Sequence, residues 1–495
     1  MHLLKKLVVA VAIAYPALAQ AQSTKELKAE LEALKTHVKK LEAMIEKVGA
    51  QATQAAQTAQ AAQTTSAAAA QTAAQTQQGG GAAAGGVELA EFNRIRIKTE
   101  AMEDASEASG FKNLKLSGYV DPSYIYNRNA KTSSFVFFNN NSSVNGSGEA
   151  FSYDNTFFGS GMLNLEKELE GGTKFKLTLM PSKSAGAGYN FGNLVHEASV
   201  SVPLGGLNTR LIAGQIPDWT GYEYIPSTQN KLITHNLLFD FSAANFYTGA
   251  GVELARGKWL SKIMLGNLNR SRIDTAKQRA PGLFYRVDYA KGEYTGVGFS
   301  GIHAGFDDKL QFGRVDLVEV DGYFTRGDWN LQGQLAYGRQ GATPSNAYSA
   351  ERQTWWGLST LASYKITPRL ESVARFDYIN NQRNGGGLFG STFGPGTSPT
   401  GKCLDTTGAE ANCPDGRNGF GSGMGFDGVN WVVLDPASGS KRYALSLGLN
   451  YALMPGVNLK GEYRYDRASG KVFKTADEEY RRDNHVLGVS TVLSF

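Results

Sequence analysis

From Lys112 to Phe495 the sequence alternates bulky apolar residues with small or polar ones, in stretches cut by two interleaved kinds of connection. Seven connections are tight and turn-like, at 170–172, 203–206, 256–258, 291–293, 326–328, 367–368 and 454–456. Eight others, mostly longer and polar, lie near 128–150, 182–192, 217–243, 271–280, 306–308, 341–351, 382–440 and 469–480. A period of two is the signature of a strand. Fifteen connections define sixteen strands, and an even count with tight turns at one end and longer loops at the other predicts an all-β, antiparallel transmembrane barrel over 112–495.

The two faces of single strands support a barrel over a soluble sandwich. In the last stretch Leu487, Val489, Thr491, Leu493 and Phe495 share one face, opposite Val486, Gly488, Ser490, Val492 and Ser494. Tyr443, Leu445, Leu447, Leu449, Tyr451 and Leu453 form an aliphatic stripe with aromatic ends, as expected of a lipid-facing strand with interfacial girdles. In the next strand Lys460, Glu462, Arg464 and Asp466 stand opposite Val457, Leu459, Tyr463 and Tyr465. A sandwich buries its inner faces, whereas here the inner face is the charged one. The negative mean hydropathy argues against a helical membrane protein but not against a barrel, in which only alternate residues meet lipid.

The N-terminal part is built differently. Residues 1–21 read as a signal peptide: Lys5 and Lys6, an apolar run from Leu7 to Ala14, then Ala-x-Ala sites at Ala17/Ala19 and Ala19/Ala21. Across 22–49, Leu27, Leu31, Leu34, Val38, Leu41, Ile45 and Val48 recur in alternating steps of four and three. That heptad seam predicts a short parallel oligomerising coiled coil. Residues 50–86 are an Ala/Gln/Gly-rich linker without core-forming residues, and 87–111 is a short helical or lumenal segment with Phe92, Ile95 and Thr99 on one stripe.

Several chemistries find no support. The six histidines, at positions 2, 37, 196, 235, 303 and 485, sit beside no recognisable nucleophile motif, so no catalytic residue or enzyme activity is expected. The formal charge of +5 over 495 residues implies no nucleic-acid partner. Cys403 and Cys413 in an exported chain are expected to form a disulfide worth about 2–3 kcal/mol. No metal site or cofactor is expected, because the acidic loop around the cysteines lacks EF-hand spacing. An energy-coupled transporter would need 22 strands and a folded plug.

The connection at 217–243 stands apart, because Trp219, Tyr222, Tyr224 and Phe239 are too apolar for a solvated loop. It is expected to fold against the inner wall, with Asp218, Tyr222, Glu223, Tyr224, Lys231, His235 and Asp240 as constriction candidates. The sixteen-strand count, Phe495 and "GQIPDWTGYEY...NKLITHNLLFDFS...FYTGAGVEL" resemble the outer-membrane porins of Gram-negative bacteria. Uncharacterised porin-like families that begin with a short coiled coil are the most similar. Over Phe92–Phe495 the resemblance implies a trimeric passive diffusion channel in the bacterial outer membrane, embedded in its lipid, whose third loop folds inward. It also implies that Phe495 is read by the barrel-assembly machinery. The strand parity puts both termini on the periplasmic side, where the coiled coil would reach peptidoglycan; a structural tether or adhesin-like barrel anchored through it is the alternative function. By alternation Lys174, Lys176, Arg286, Lys365, Arg375, Lys460 and Arg464 face the lumen against Asp288, Glu371, Asp377, Glu462 and Asp466. That balance predicts at most a weak anion preference, and the solute is not specified by it.

Overall fold

The computed structural model describes residues 94–100 and 112–495, apart from 138–158, 181, 184–188, 191–193, 270–279, 293, 306–313, 341–352, 384–402, 405–409, 412–418, 422, 430 and 436–437. The signal-peptide, coiled-coil and linker expectations, and Cys413, lie outside the described residues. Two units are distinguished, Met1–Met102 and Glu103–Phe495. In the first, residues 94–100 are an exposed helix with an Arg96–Glu100 ion pair at 3.7 Å.

The second unit is one continuous sheet of eighteen extended segments. Two pairs of segments each make a single interrupted strand, so the wall has sixteen strands and closes on itself. We label them β1 (Leu114–Val120 with Ser123–Asn127), β2 (Thr132–Val136 with Gly161–Glu168), β3 (Lys174–Leu179), β4 (Val195–Pro203), β5 (Thr209–Pro217) and β6 (Phe246–Arg256). Then follow β7 (Trp259–Leu268), β8 (Gly282–Gly292), β9 (Thr295–Ala304), β10 (Val315–Arg326) and β11 (Trp329–Gln340). The last five are β12 (Gln353–Lys365), β13 (Leu370–Arg383), β14 (Lys441–Met454), β15 (Val457–Ala468) and β16 (Asp483–Ser494). Each strand pairs antiparallel with its sequence neighbours, and β1 closes the barrel on β16 through Ser123↔Ser490 to Asn127↔Val486 and Tyr119↔Ser494. Closure leaves no free edge.

The sequence pattern overestimated the first long connection. The chain turns back already at 128–131, and the 24 residues 137–160 instead interrupt β2 halfway down. Opposite the interruption, the Asp121 amide of β1 donates to the Ser160 carbonyl at 3.0 Å, while the Pro122 carbonyl turns to β16 and accepts from the Thr491 amide at 3.1 Å. The long connections at 382–440 and 469–480 carry small hairpins of their own, including Met424–Phe426 with Trp431–Val433, and Phe473–Lys474 with Tyr480–Arg481.

Alternation sorts the side chains as the pleat requires. Ile263, Leu265, Val297, Phe299, Leu331, Leu335, Leu445, Leu447, Leu449, Leu487 and Val489 are exposed on the outer face. Aromatic pairs mark its two ends: Trp259–Tyr289 (4.7 Å) and Trp329–Tyr364 (4.8 Å) by the tight turns, Trp356–Tyr378 (5.2 Å) and Tyr124–Phe135 (5.1 Å) by the loops. Phe495 exchanges backbone hydrogen bonds with Gly118, at 3.1 and 3.0 Å, and its side chain is exposed in line with Leu493.

Candidate functional site

The connection between β5 and β6 is closed at its base by Asp218. Its carboxylate accepts hydrogen bonds from the Thr220 and Ala244 amides, both at 3.1 Å, and from the Tyr247 hydroxyl, tying the two ends together. Near the far end Asn236 caps a short helix, Leu237–Ser242, its side-chain oxygen accepting from the Phe239 amide at 2.8 Å. Between these anchors the loop exposes almost none of its apolar side chains.

Leu237, Leu238 and Phe241 are fully buried among inward residues of β7 to β14, including Met264, Phe284, Leu317, Trp355, Ile379 and Ala444. Leu232 and Tyr222 meet Leu361 and Val373, while Ile233 meets Ile125 and Val486. Ile225 clusters with Tyr119, Met162, Met180 and Val492, which lie on both sides of the closing seam. The loop therefore crosses the inside of the barrel. Two wall glycines make room for it: a Cβ on Gly448 would stand 2.4 Å from Leu232 Cδ2, and one on Gly357 would stand 2.8 Å from Leu238 Cδ2.

The loop's polar groups are held by wall charges. Arg375 donates to Glu223 at 2.8 Å, to the Thr234 and His235 carbonyls at 2.7 and 2.9 Å, and to Asp377 at 3.0 Å. Arg464 donates to the His235 carbonyl at 2.6 Å and to Asp466 at 2.9 Å, and its guanidinium lies 4.0 Å from Asp240. Glu462 accepts from the Ile233 and Thr234 amides at 2.7 and 2.8 Å. Arg286 donates to the Trp219 carbonyl at 2.7 Å and pairs with Asp321 at 2.9 Å and Asp288 at 2.8 Å. The Lys460 ammonium donates to the Ser227 and Asn230 carbonyls, both at 2.6 Å, and Lys231 pairs with Glu371 at 2.6 Å. These are charge-assisted bonds away from water, the strong kind.

This arrangement reassigns the expected constriction residues. Tyr222 bonds the Ser359 hydroxyl at 2.6 Å, and Tyr222, Glu223, His235 and Asp240 are all buried towards the wall. Burial pushes the Glu223 carboxyl up, against the pull of Arg375, and pushes the His235 imidazole down to about 4, against the pull of Asp240. Tyr224, at 43 % exposed, and the half-buried Lys231 face open space, and Asp218 and Glu223 contribute to the lining of a space beside the loop. Of the seven expected wall cations, Arg286, Arg375, Lys460 and Arg464 lie under the loop. Lys174 and Lys176 pair with Glu168 and Glu197 at 3.6 and 2.8 Å, while Lys365 stays exposed near the tight turns. Sequence reading missed Thr234, Asn236, Ser359 and Asp321. For Thr234 and Asn236 the signal was the polar "THN" set inside the apolar "LI...LLF", a backbone that needs partners wherever it is buried, and Ser359 and Asp321 gave none.

Two spaces remain beside the loop. One, of about 590 Å³, lies between Trp219, Tyr224, Phe239 and the wall of β1 to β5, with Lys176, His196 and Lys262 on its lining. The other, of about 630 Å³, opens between loop residues 228–231 and the tight turns that join β12 to β13 and β14 to β15. Thr228, Gln229 and Ser494 line both.

No curated protein matches this sequence. Among solved structures the chain is similar to an anion-selective porin from Comamonas acidovorans, at 13 % identity over 77 % of this chain and 99 % of that one, TM-score 0.46. It is also similar to the outer membrane channel DcaP of Acinetobacter baumannii, at 12 % identity over 77 % and 97 %, TM-score 0.45. A third is OmpF of Salmonella typhi in complex with daunomycin, at 11 % identity over 77 % and 97 %, TM-score 0.46. A family model matches residues 3–279 and 294–495, nearly the whole chain, and the protein belongs to that family, described as a protein of unknown function, DUF3138.

Proposed function

We propose that the protein is a porin of the bacterial outer membrane, a passive channel for small hydrophilic solutes narrowed by the inward-folded loop at 217–243. The observation that carries this reading is the inversion of polarity. The outer face is an exposed apolar belt with aromatic ends, while the inner face is charged and clasps a loop that leaves two spaces beside it. A sixteen-strand barrel is wide enough to be filled with water. Function then rests on what narrows the lumen and on the charge left free there. The tight-turn end faces the periplasm, homotrimers form in the lipid, and assembly machinery reads Phe495.

Planar-bilayer recording of the refolded full chain tests this. Stepwise single-channel conductance in potassium chloride is the expected result. A barrel that folds and inserts but passes no current would refute it and favour the tether.

A further inference from the structure

The two spaces beside the loop differ in the charge that is left over. In the larger one Lys231 and Glu371 neutralise each other at 2.6 Å. Lys460 points its ammonium at two carbonyls, Ser227 and Asn230, and its charge is offset by the nearby Asp121 and Glu462 carboxylates. Lys365 and Arg369 line the same space from the end of β12 and the turn after it, both exposed, and neither side chain forms an ion pair among the described residues. Two exposed cations, Lys365 and Arg369, thus stand without a carboxylate partner among the described residues around a cavity of about 630 Å³. The smaller space has no such excess: Lys176 and Lys262 are matched by Glu197 at 2.8 Å and Glu253 at 3.2 Å.

We propose that this tight-turn vestibule is a binding station for compact oxyanions, solutes that carry phosphate or carboxylate groups. The assignment rests on the porin reading for its purpose, since a solute reaches the vestibule through the lumen or from the tight-turn side. It does not rest on it for its chemistry. The loop brings Lys231 and the two carbonyls that aim Lys460; the turn brings Arg369, whose planar fork suits both oxyanions. The concave wall focuses the field of Lys365 and Arg369 on the space between them. The overall count of wall charges hides this, because the remaining cations are spent on carboxylates or on the loop backbone.

The test uses the folded full chain in detergent, its folding confirmed by heat-modifiable migration. Calorimetric titration with inorganic phosphate, and separately with succinate, should show binding that 1 M salt abolishes. In Lys365→Gln/Arg369→Gln the affinity should fall about tenfold or more, within the range that focused charges command. Arg369→Gln alone, at an exposed turn, should weaken binding in the same direction and serves if the double variant misfolds. Lys258→Gln, an equal charge change on the turn between β6 and β7, should leave it unaltered. Phosphate binding without succinate binding would narrow the class to phosphates. Equal affinity in wild type and double variant, or no binding of either anion by the folded wild type, would overturn the assignment. Reversal potentials in a chloride gradient run alongside: absence of current refutes the channel while the titration still decides the site.

Discussion

Replacing Arg375 by Gln isolates what holds the inner loop in place. The guanidinium is fully buried and donates to Glu223, Asp377, and the Thr234 and His235 carbonyls. Removing one partner of a buried ion pair costs about 3–5 kcal/mol, because the other charge stays buried and uncompensated. Glu223, already pushed up by burial, takes a proton more readily once the guanidinium is gone, which relieves part of this and favours the lower end of the range. That still shifts the ratio of docked to undocked loop by a factor of about 10². The wall itself is a closed ladder of sixteen strands, so the loss falls on the loop rather than the barrel. Single-channel recording should show larger, noisier openings, and limited proteolysis should cut within 217–245, while the unfolding temperature on heated gels barely moves. Adding Glu223→Gln to the variant should recover part of the protection, since it removes the stranded carboxylate. Unchanged conductance together with full protease resistance would refute the reasoning, because it would mean the remaining contacts hold the loop without the cation.

Gly448→Val should loosen the same loop by about 1–3 kcal/mol through overpacking against Leu232, read as protease sensitivity, whereas Gly461→Val, which meets nothing within 4 Å, should not. Burial holds the His235 imidazole down at about 4 from an ordinary 6.5, with Asp240 and Glu462 pulling it up and Arg375 pushing it further down. Its contribution to docking is therefore complete above about pH 6.5 and is lost as the pH falls towards 4. Loop protection in wild type should decline more steeply over that interval than in His235→Gln, and parallel pH profiles would contradict this. Deleting Phe495 removes the last aromatic of the outer belt and its pairing with Gly118. The yield of inserted barrel should fall with the conductance of the survivors unaltered.

The wall was legible because each strand carries its own instruction. Tyr443 to Leu453 and Val457 to Asp466 state by alternation which residues face out, and positive-φ glycines such as Gly257, Gly327 and Gly456 mark where the chain turns. The break in β2 was not legible, because its two halves are aligned only by their pairing with β1. The loop's apolar residues announced that it would pack inside something, yet its partners could not be read. Arg375 and Glu223 are 152 residues apart, and Thr234 and Glu462 are 228 apart. Alternation gives the direction of a side chain but not what stands opposite it, so cations counted as free wall charges turned out to be fastenings.

The loop also bears on the order of assembly. Its Ile225 shares a buried cluster with Tyr119 of β1 and Val492 of β16, and its Ile233 shares one with Ile125 and Val486. These are the two strands whose meeting closes the cylinder, at opposite ends of the barrel sequence. Contacts so distant in the chain form late, since loop-closure entropy opposes them until neighbouring contacts repay it. A segment that lies inside the seam and grips both lips acts as a mandrel, shortening the search by which the last strand finds the first. A chain whose loop cannot dock should linger as an open, C-shaped sheet with two exposed edges, the form most prone to pairing with a neighbour.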